Sequence, residues 1–144
     1  MKLPELRFVN ILRITLAIAF VGGALTTAYG WPSQIGTLSI EQLRELIDGG
    51  RVAYIFDANP RESYLEAHIP GAQWVPYDAV ATAVLPSSKD AMLVFYCYNP
   101  QCGASHVAAN GARVLGYHNA WVMAAGILGW RTAGLPVKSG PEPK

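Results

Sequence analysis

The sequence predicts an α/β domain with a mostly parallel sheet, on three observations. Short apolar runs alternate with segments of helical character, the order that builds helices onto a parallel sheet. The runs are too short and too apolar to show a wet face, as strands covered on both sides are. The third is size: 144 residues with 51% hydrophobic content supply one core of ordinary dimensions and rule out two full domains. Only 15% of residues are charged, the net charge is +1, and no Lys/Arg cluster appears, so nucleic acid is excluded as an expected partner.

The first element is not part of the domain. Ile14 to Ile40 contains no charged residue, and Ile14 to Leu25 is nearly continuous hydrocarbon. Lys2, Arg7 and Arg13 precede it against Glu5 alone, and Thr26 and Ala28 supply the small residues a signal peptidase reads. Twelve apolar residues suit a signal peptide better than a bilayer-spanning helix, which needs roughly 20. Residues 1–28 are therefore read as a signal peptide cleaved after Ala28, or as an anchor running over residues 8–28 with Tyr29 and Trp31 at the far interface. Either way the chain from about Tyr29 is expected to be exported, to the periplasm, with the N-terminal segment its one contact with a membrane. Without residues 1–28 it carries 8 basic against 9 acidic residues, a net of −1.

Residues 29–38 read as a lead-in segment. Ser39 and Gln42 then form a capping-box pattern that opens a helix over 40–48, stopped at Gly49-Gly50. Val52–Phe56 is a buried strand ending at Asp57, and Pro60 starts a short helix through about Ala67. After the Pro70-Gly71 turn, a strand covers 72–75. Residues 77–84 are expected as a short helix and 86–90 as a loop. Met92–Tyr96 is the most strand-like run in the chain, ended by Cys97. A loop over 97–103 leads into a helix over 104–115 that Gly116 closes. A strand at 120–123, a helix around 127–132 and a Pro/Gly-rich tail at 139–144 complete the chain.

In open α/β sheets, ligands sit beyond the carboxyl ends of the strands, which singles out Cys97. The loop Tyr98, Asn99, Pro100, Gln101, Cys102, Gly103 can turn backbone N–H groups inward and runs into a helix N-terminus. A thiol held there is expected to have a lowered pKa, which makes Cys97 the candidate nucleophile. Cys102 has three readings. It is the partner of a structural disulfide, the usual fate of paired cysteines in an exported chain, or a resolving thiol that attacks a persulfide or sulfenate on Cys97. As a zinc site, two cysteines at this spacing with His106 make a poor ligand set, and no metal is expected. His68 is expected to be a hydrogen-bonding structural residue, and Asp57 and Arg61 a local ion pair or helix cap. Trp121 and Trp130 are expected in packing.

Asp57 with Arg61 and Tyr64, then Ala67-His-Ile-Pro-Gly-Ala72 and Val75-Pro76, resembles the front motif of rhodanese-like sulfurtransferase domains. Val94-Phe-Tyr-Cys97 is similar to the strand leading to that family's active cysteine. Gly116-Tyr117, Val122, Gly126, Trp130, Gly134 and Pro136-Val137 are similar to its closing pattern. The resemblance spans roughly 38–138 and implies a three-layer domain over 39–138 with a central, mostly parallel sheet. It also implies a sulfurtransferase whose cysteine accepts sulfane sulfur as a persulfide and passes it to a thiophilic acceptor.

On that basis Cys97 is the expected catalytic residue and Cys102 the candidate resolving thiol. Tyr98, Asn99, Pro100, Gln101 and Gly103, with Arg61 and His106, are the expected substrate-binding residues, the amides of Asn99, Gln101, Cys102 and Gly103 forming the cradle. A small donor such as thiosulfate or a persulfide and a thiol or protein acceptor are the expected partners. No organic cofactor is expected, since no phosphate-binding glycine fingerprint follows a strand. Two departures qualify the resemblance. Cys102 stands where the family's loop has an arginine, and the loop is about two residues longer than the common version. The missing arginine argues against a phosphatase. It also keeps open a thiol-disulfide or partner-docking module without thiosulfate turnover, and a silent binding domain with a permanent disulfide.

Overall fold

The computed structural model describes residues 34–51 and 54–142. The signal or anchor reading of 1–28, and residues 29–33 of the lead-in, lie outside the described residues. The chain runs β1 (Gly36–Leu38), α1 (Ile40–Asp48), β2 (Tyr54–Asp57), α2 (Arg61–Glu66), β3 (Ala72–Trp74), β4 (Leu93–Tyr96), α3 (Ala104–Val114), β5 (Ala120–Met123) and α4 (Gly126–Thr132). The five strands form one sheet in the order β1-β5-β4-β2-β3, every neighbouring pair parallel.

Alternation along the strands sorts the core into two layers. Phe56, Leu93, Phe95, Ala120 and Val122 face α3 and meet its Ala108, Ala109 and Ala112. Ile55, Val94, Tyr96 and Met123 face the other way, onto Leu43 of α1 and Ile127 and Trp130 of α4. Small residues on α3 let that helix lie close to the sheet, where Phe56 and Phe95 stack with centroids 5.1 Å apart. All four residues of β4 are buried, as a strand with helices on both faces requires.

Local signals act as expected at α1. Ser39 Oγ accepts the Gln42 N–H at 3.2 Å, and Gln42 Oε1 accepts the Ser39 N–H at 2.8 Å, so both halves of the capping box are present. Two expectations are corrected. The end of the lead-in belongs to the sheet: residues 36–38 form the edge strand β1 beside β5. Three residues show no legible period, and pairing creates the strand. The expected helix over 77–84 is absent. Single bonds from Ala79 N to Pro76 O, Val84 N to Ala81 O and Leu85 N to Thr82 O make successive turns instead. Most of this stretch is exposed, and a helix that short without a buried face is not self-sustaining.

The tail folds back. Lys138 and His68 exchange both backbone bonds at 2.9 Å, and the Gly140 N–H reaches Leu65 O at 2.8 Å. This closes the corner holding the His68-Ile-Pro-Gly-Ala72 turn.

Candidate active site

Chain direction places the site. From β2 the chain steps to β3 on one side of the sheet, and from β4 to β5 on the other, so the crevice between the ends of β2 and β4 is a switch point, where open α/β sheets bind ligands. Asp57 ends β2 and pairs in register with Tyr96, the last residue of β4; the Ala58 N–H bonds the Tyr96 carbonyl at 2.9 Å. Cys97 comes next and is 2% exposed.

Two clamps hold Cys97. The Ile127 N–H bonds the Cys97 carbonyl at 2.8 Å and the Leu128 N–H bonds the Tyr98 carbonyl at 3.0 Å, tying the loop to α4. Gly126 permits the approach: its φ is 66°, and a Cβ there would lie 2.4 Å from the Tyr98 carbonyl carbon. Within the loop, Asn99 organises the turn, its Oδ1 accepting the Gln101 N–H at 3.1 Å and its carbonyl the Cys102 N–H at 3.0 Å. The Cys97 thiol donates to the Cys102 carbonyl at 3.0 Å and lies 3.3 Å from the Ser105 hydroxyl, itself buried in the first turn of α3.

The cradle therefore differs from the expectation. Of its four amides, those of Gln101 and Cys102 are engaged by Asn99. Because the Cys102 carbonyl faces the sulfur, the N–H of Gly103, on the opposite side of the same planar trans peptide, faces away. The electrostatics follow. Burial, then the hydrogen bond with Cys102, pushes the Cys97 thiol up against the opposing hydroxyl and N–H of Ser105, the reverse of the expected lowering. Burial also raises Cys102, but bonding from Cys97 and the backbone of Tyr98 and Ala104 outweighs it and leaves that thiol lowered. Both cysteines are free thiols. Among the described residues, Asp57 Oδ2 and Asn59 Nδ2 at this corner have no hydrogen-bond partner. Burial raises the Asp57 carboxyl, opposed by hydrogen bonds from Asn59 and Tyr96.

A family profile described as the rhodanese-like domain matches residues 39–133. The chain belongs to the rhodanese-like domain family. It is 32% identical over 108 residues to the human protein named thiosulfate:glutathione sulfurtransferase, covering 65% of this chain and 91% of that one. It is 34% identical over 93 residues to a protein of Mycobacterium tuberculosis named an HTH-type transcriptional regulator, covering 65% of this chain and 40% of that one. The chain thus spans well under half the length of that regulator. A crystallised protein from Bacillus halodurans superposes with a TM-score of 0.66 at 26% identity, covering 72% of this chain and 77% of that one. The rhodanese-like assignment and the human relative support sulfur transfer as the general chemistry.

In this rhodanese-like domain the Cys102 carbonyl and the Ser105 hydroxyl meet Cys97 Sγ, while Arg61 and His106 are exposed. The Arg61 guanidinium lies over the Trp74 ring, 5.3 Å from its centroid, and Asp57 accepts the Asn59 N–H at 2.8 Å instead of pairing with it. The expected Asp57–Arg61 pair is therefore corrected. Asp57 is buried at the strand end, while Arg61, the first residue of α2, is exposed and lies over Trp74, and no side chain caps that helix. His106 is exposed on α3, and Tyr98 is half exposed. Tyr98 borders a cleft of about 300 Å³ with Ser63, Glu66, Ala67, Ile127 and Arg131. His68 is 1% exposed, with Nδ1 2.9 Å from the Tyr64 carbonyl and Nε2 3.3 Å from Glu142, a structural position as expected. Among the described residues no three His, Cys, Asp or Glu side chains gather to hold a metal ion.

Sequence reasoning did not single out Ser105, Asp57 or Gly126 for the site. Ser105 was discoverable from its place in the first turn of the helix after Cys97. The other two are placed by contacts across the sheet.

Proposed function

We propose that this domain is a sulfurtransferase that carries sulfane sulfur as a persulfide on Cys97. The position of Cys97, at the end of β4 in the switch-point crevice of a rhodanese-like fold, carries the proposal. With thiosulfate as donor, the Cys97 thiolate attacks the outer sulfur. The new S–S bond forms as the donor's S–S bond breaks, and sulfite leaves with the electron pair. An acceptor thiolate then attacks the outer sulfur of the persulfide and regenerates the Cys97 thiolate. The name of the human relative supports thiosulfate and a small thiol as the donor and acceptor classes. The cleft beside Tyr98 offers the acceptor an approach. The charge-free run behind Lys2, Arg7 and Arg13 supports an exported setting.

A second reading, a thiol-disulfide module, is favoured by Cys102. Its half-buried thiol is close enough to be lowered by Cys97. Attack by the Cys102 thiolate on Cys97 Sγ of the persulfide forms a Cys97–Cys102 disulfide and releases hydrosulfide, which balances without an external oxidant.

The deciding experiment incubates the full-length reduced protein with thiosulfate, reads its intact mass, then adds cyanide. Gain of one sulfur atom and release of thiocyanate, both lost in Cys97→Ser, are the expected results. Formation of an internal disulfide with no sulfur gain and no thiocyanate selects the redox reading.

A further inference from the structure

The resting loop opposes the chemistry proposed for it. A thiolate or persulfide anion needs N–H donors; Ser105 supplies a backbone N–H and a hydroxyl at 3.3 Å, yet a backbone acceptor, the Cys102 carbonyl, also faces Cys97 Sγ at 3.0 Å. That contact stabilises the neutral thiol and repels the anion. A second observation concerns the next residue. Gly103 has φ −81° and ψ −8°, values any residue adopts, and a Cβ built on it would meet no atom within 4 Å. Neither the backbone nor the surroundings require glycine in this conformation. The two observations concern one peptide group, since the carbonyl of Cys102 and the N–H of Gly103 share a plane.

We infer that the Cys102–Gly103 peptide flips when Cys97 ionises or is persulfidated, turning the carbonyl out and the Gly103 N–H onto the sulfur, with Gly103 as the pivot. The inference rests on the sulfur-transfer reading only for its second trigger. A flip of one peptide changes ψ of Cys102 and φ of Gly103 by about 180° each, the interconversion of type I and type II turns. The present angles of Gly103 match the third residue of a type I turn. The flipped ones, with φ at about +100°, match that of type II, which takes glycine or asparagine. The same rotation removes a repulsive dipole and supplies an attractive one. The thiol proton passes to solvent, and no other bond changes. Gly103 is thus a positioning residue, required by a conformation the resting protein does not show.

The test compares Gly103→Ala, Gly103→Asn and Gly103→Val in the full-length protein. Two quantities are read: the pH profile of Cys97 alkylation in a Cys102→Ser background, and the rate of persulfide loading from thiosulfate. Thermal unfolding verifies folding. Alanine and valine are expected to shift the alkylation profile to higher pH and to slow loading about tenfold. Asparagine, which tolerates positive φ, retains most of both despite being larger than alanine. A purely steric role would order the variants by size and place asparagine below alanine; that order, or four coincident alkylation profiles, overturns the flip. If none of the proteins, wild type included, gains sulfur, the sulfur-transfer reading fails, and the alkylation profiles still decide the flip. Should valine fail to fold, the order of alanine and asparagine suffices.

Discussion

Two corners of the sheet, one at the amino end of β3 and one at the carboxyl ends of β2 and β4, are built from neighbouring strands and differ in how their polar groups are satisfied. At the corner next to β3, the Glu142 carboxylate takes the Gly71 N–H at 2.7 Å, His68 Nε2 at 3.3 Å and Lys138 Nζ at 3.2 Å. His68 also bonds the Tyr64 carbonyl and stacks on the Tyr64 ring, with centroids 4.2 Å apart. At the corner between β2 and β4, Asp57 Oδ2 and Asn59 Nδ2 are buried without partners among the described residues and a carbonyl faces the thiol. The first corner gains by staying as it is. The second leaves buried polar groups without partners among the described residues. Polar saturation separates the structural corner from the chemical one, although both carry motif residues.

The contrast is broken most sharply at Cys97. Cys97→Ser is expected to lower thiocyanate release by at least about a thousandfold while leaving the unfolding temperature nearly unchanged. Loss of fold instead would show that the thiol holds the loop together. Glu142→Ala should do the converse, costing about 1–3 kcal/mol in denaturant unfolding with sulfur transfer per folded molecule intact. The Gly71 N–H, countered by burial and helped by Lys138 and His68, holds the Glu142 carboxyl below its usual range. Its contribution is therefore present above the ordinary glutamate range and disappears as pH falls through the lower folded value. Unfolding measured across that window should find wild type and Glu142→Ala converging at the acid end.

Asp57 has the opposite sign. Burial raises its folded value above the ordinary aspartate range, so its contribution is present below that range and is lost as pH rises through the folded value. Asp57→Asn keeps an acceptor for the Asn59 N–H and removes the buried charge. It is expected to be more stable than wild type by about 1 kcal/mol at neutral pH, an advantage that vanishes in acid. A variant less stable at every pH would reject this account. The smallest effect is expected from Ser105→Ala. It removes the hydroxyl 3.3 Å from Cys97 Sγ and should shift Cys97 alkylation to higher pH, slowing it about threefold near neutrality. An unchanged alkylation profile would place the hydroxyl in packing alone.

Much of the fold was legible because its signals are local or periodic. The capping box at Ser39 and Gln42, the strand before Cys97 and the strand at 120–123 each follow from residues near one another in the chain. The illegible parts share a different cause. Residues 36–38 became a strand because β5 offered an unpaired edge, and 77–84 did not become a helix because no buried face was available to it. At the site, the position of Cys97 was legible from its place at a strand end, while the direction of the loop peptides was not. The expected lowering of its thiol assumed inward N–H groups; burial first, then the bond with the Cys102 side chain, raises it instead, and the Cys102 carbonyl faces the sulfur.

The sequence by itself determined the α/β class, the family, the strand-end cysteine and the second thiol five residues on, because hydrophobic period, turn residues and motif spacing are properties of consecutive positions. Only the tertiary structure decided which atoms face the sulfur, that Asp57 is buried without Arg61, and that the tail seals the His68 corner. Those depend on strand order and on the orientation of single peptide planes. A peptide can turn over without altering any residue, so its direction follows from what packs against it and is written nowhere in the order of side chains.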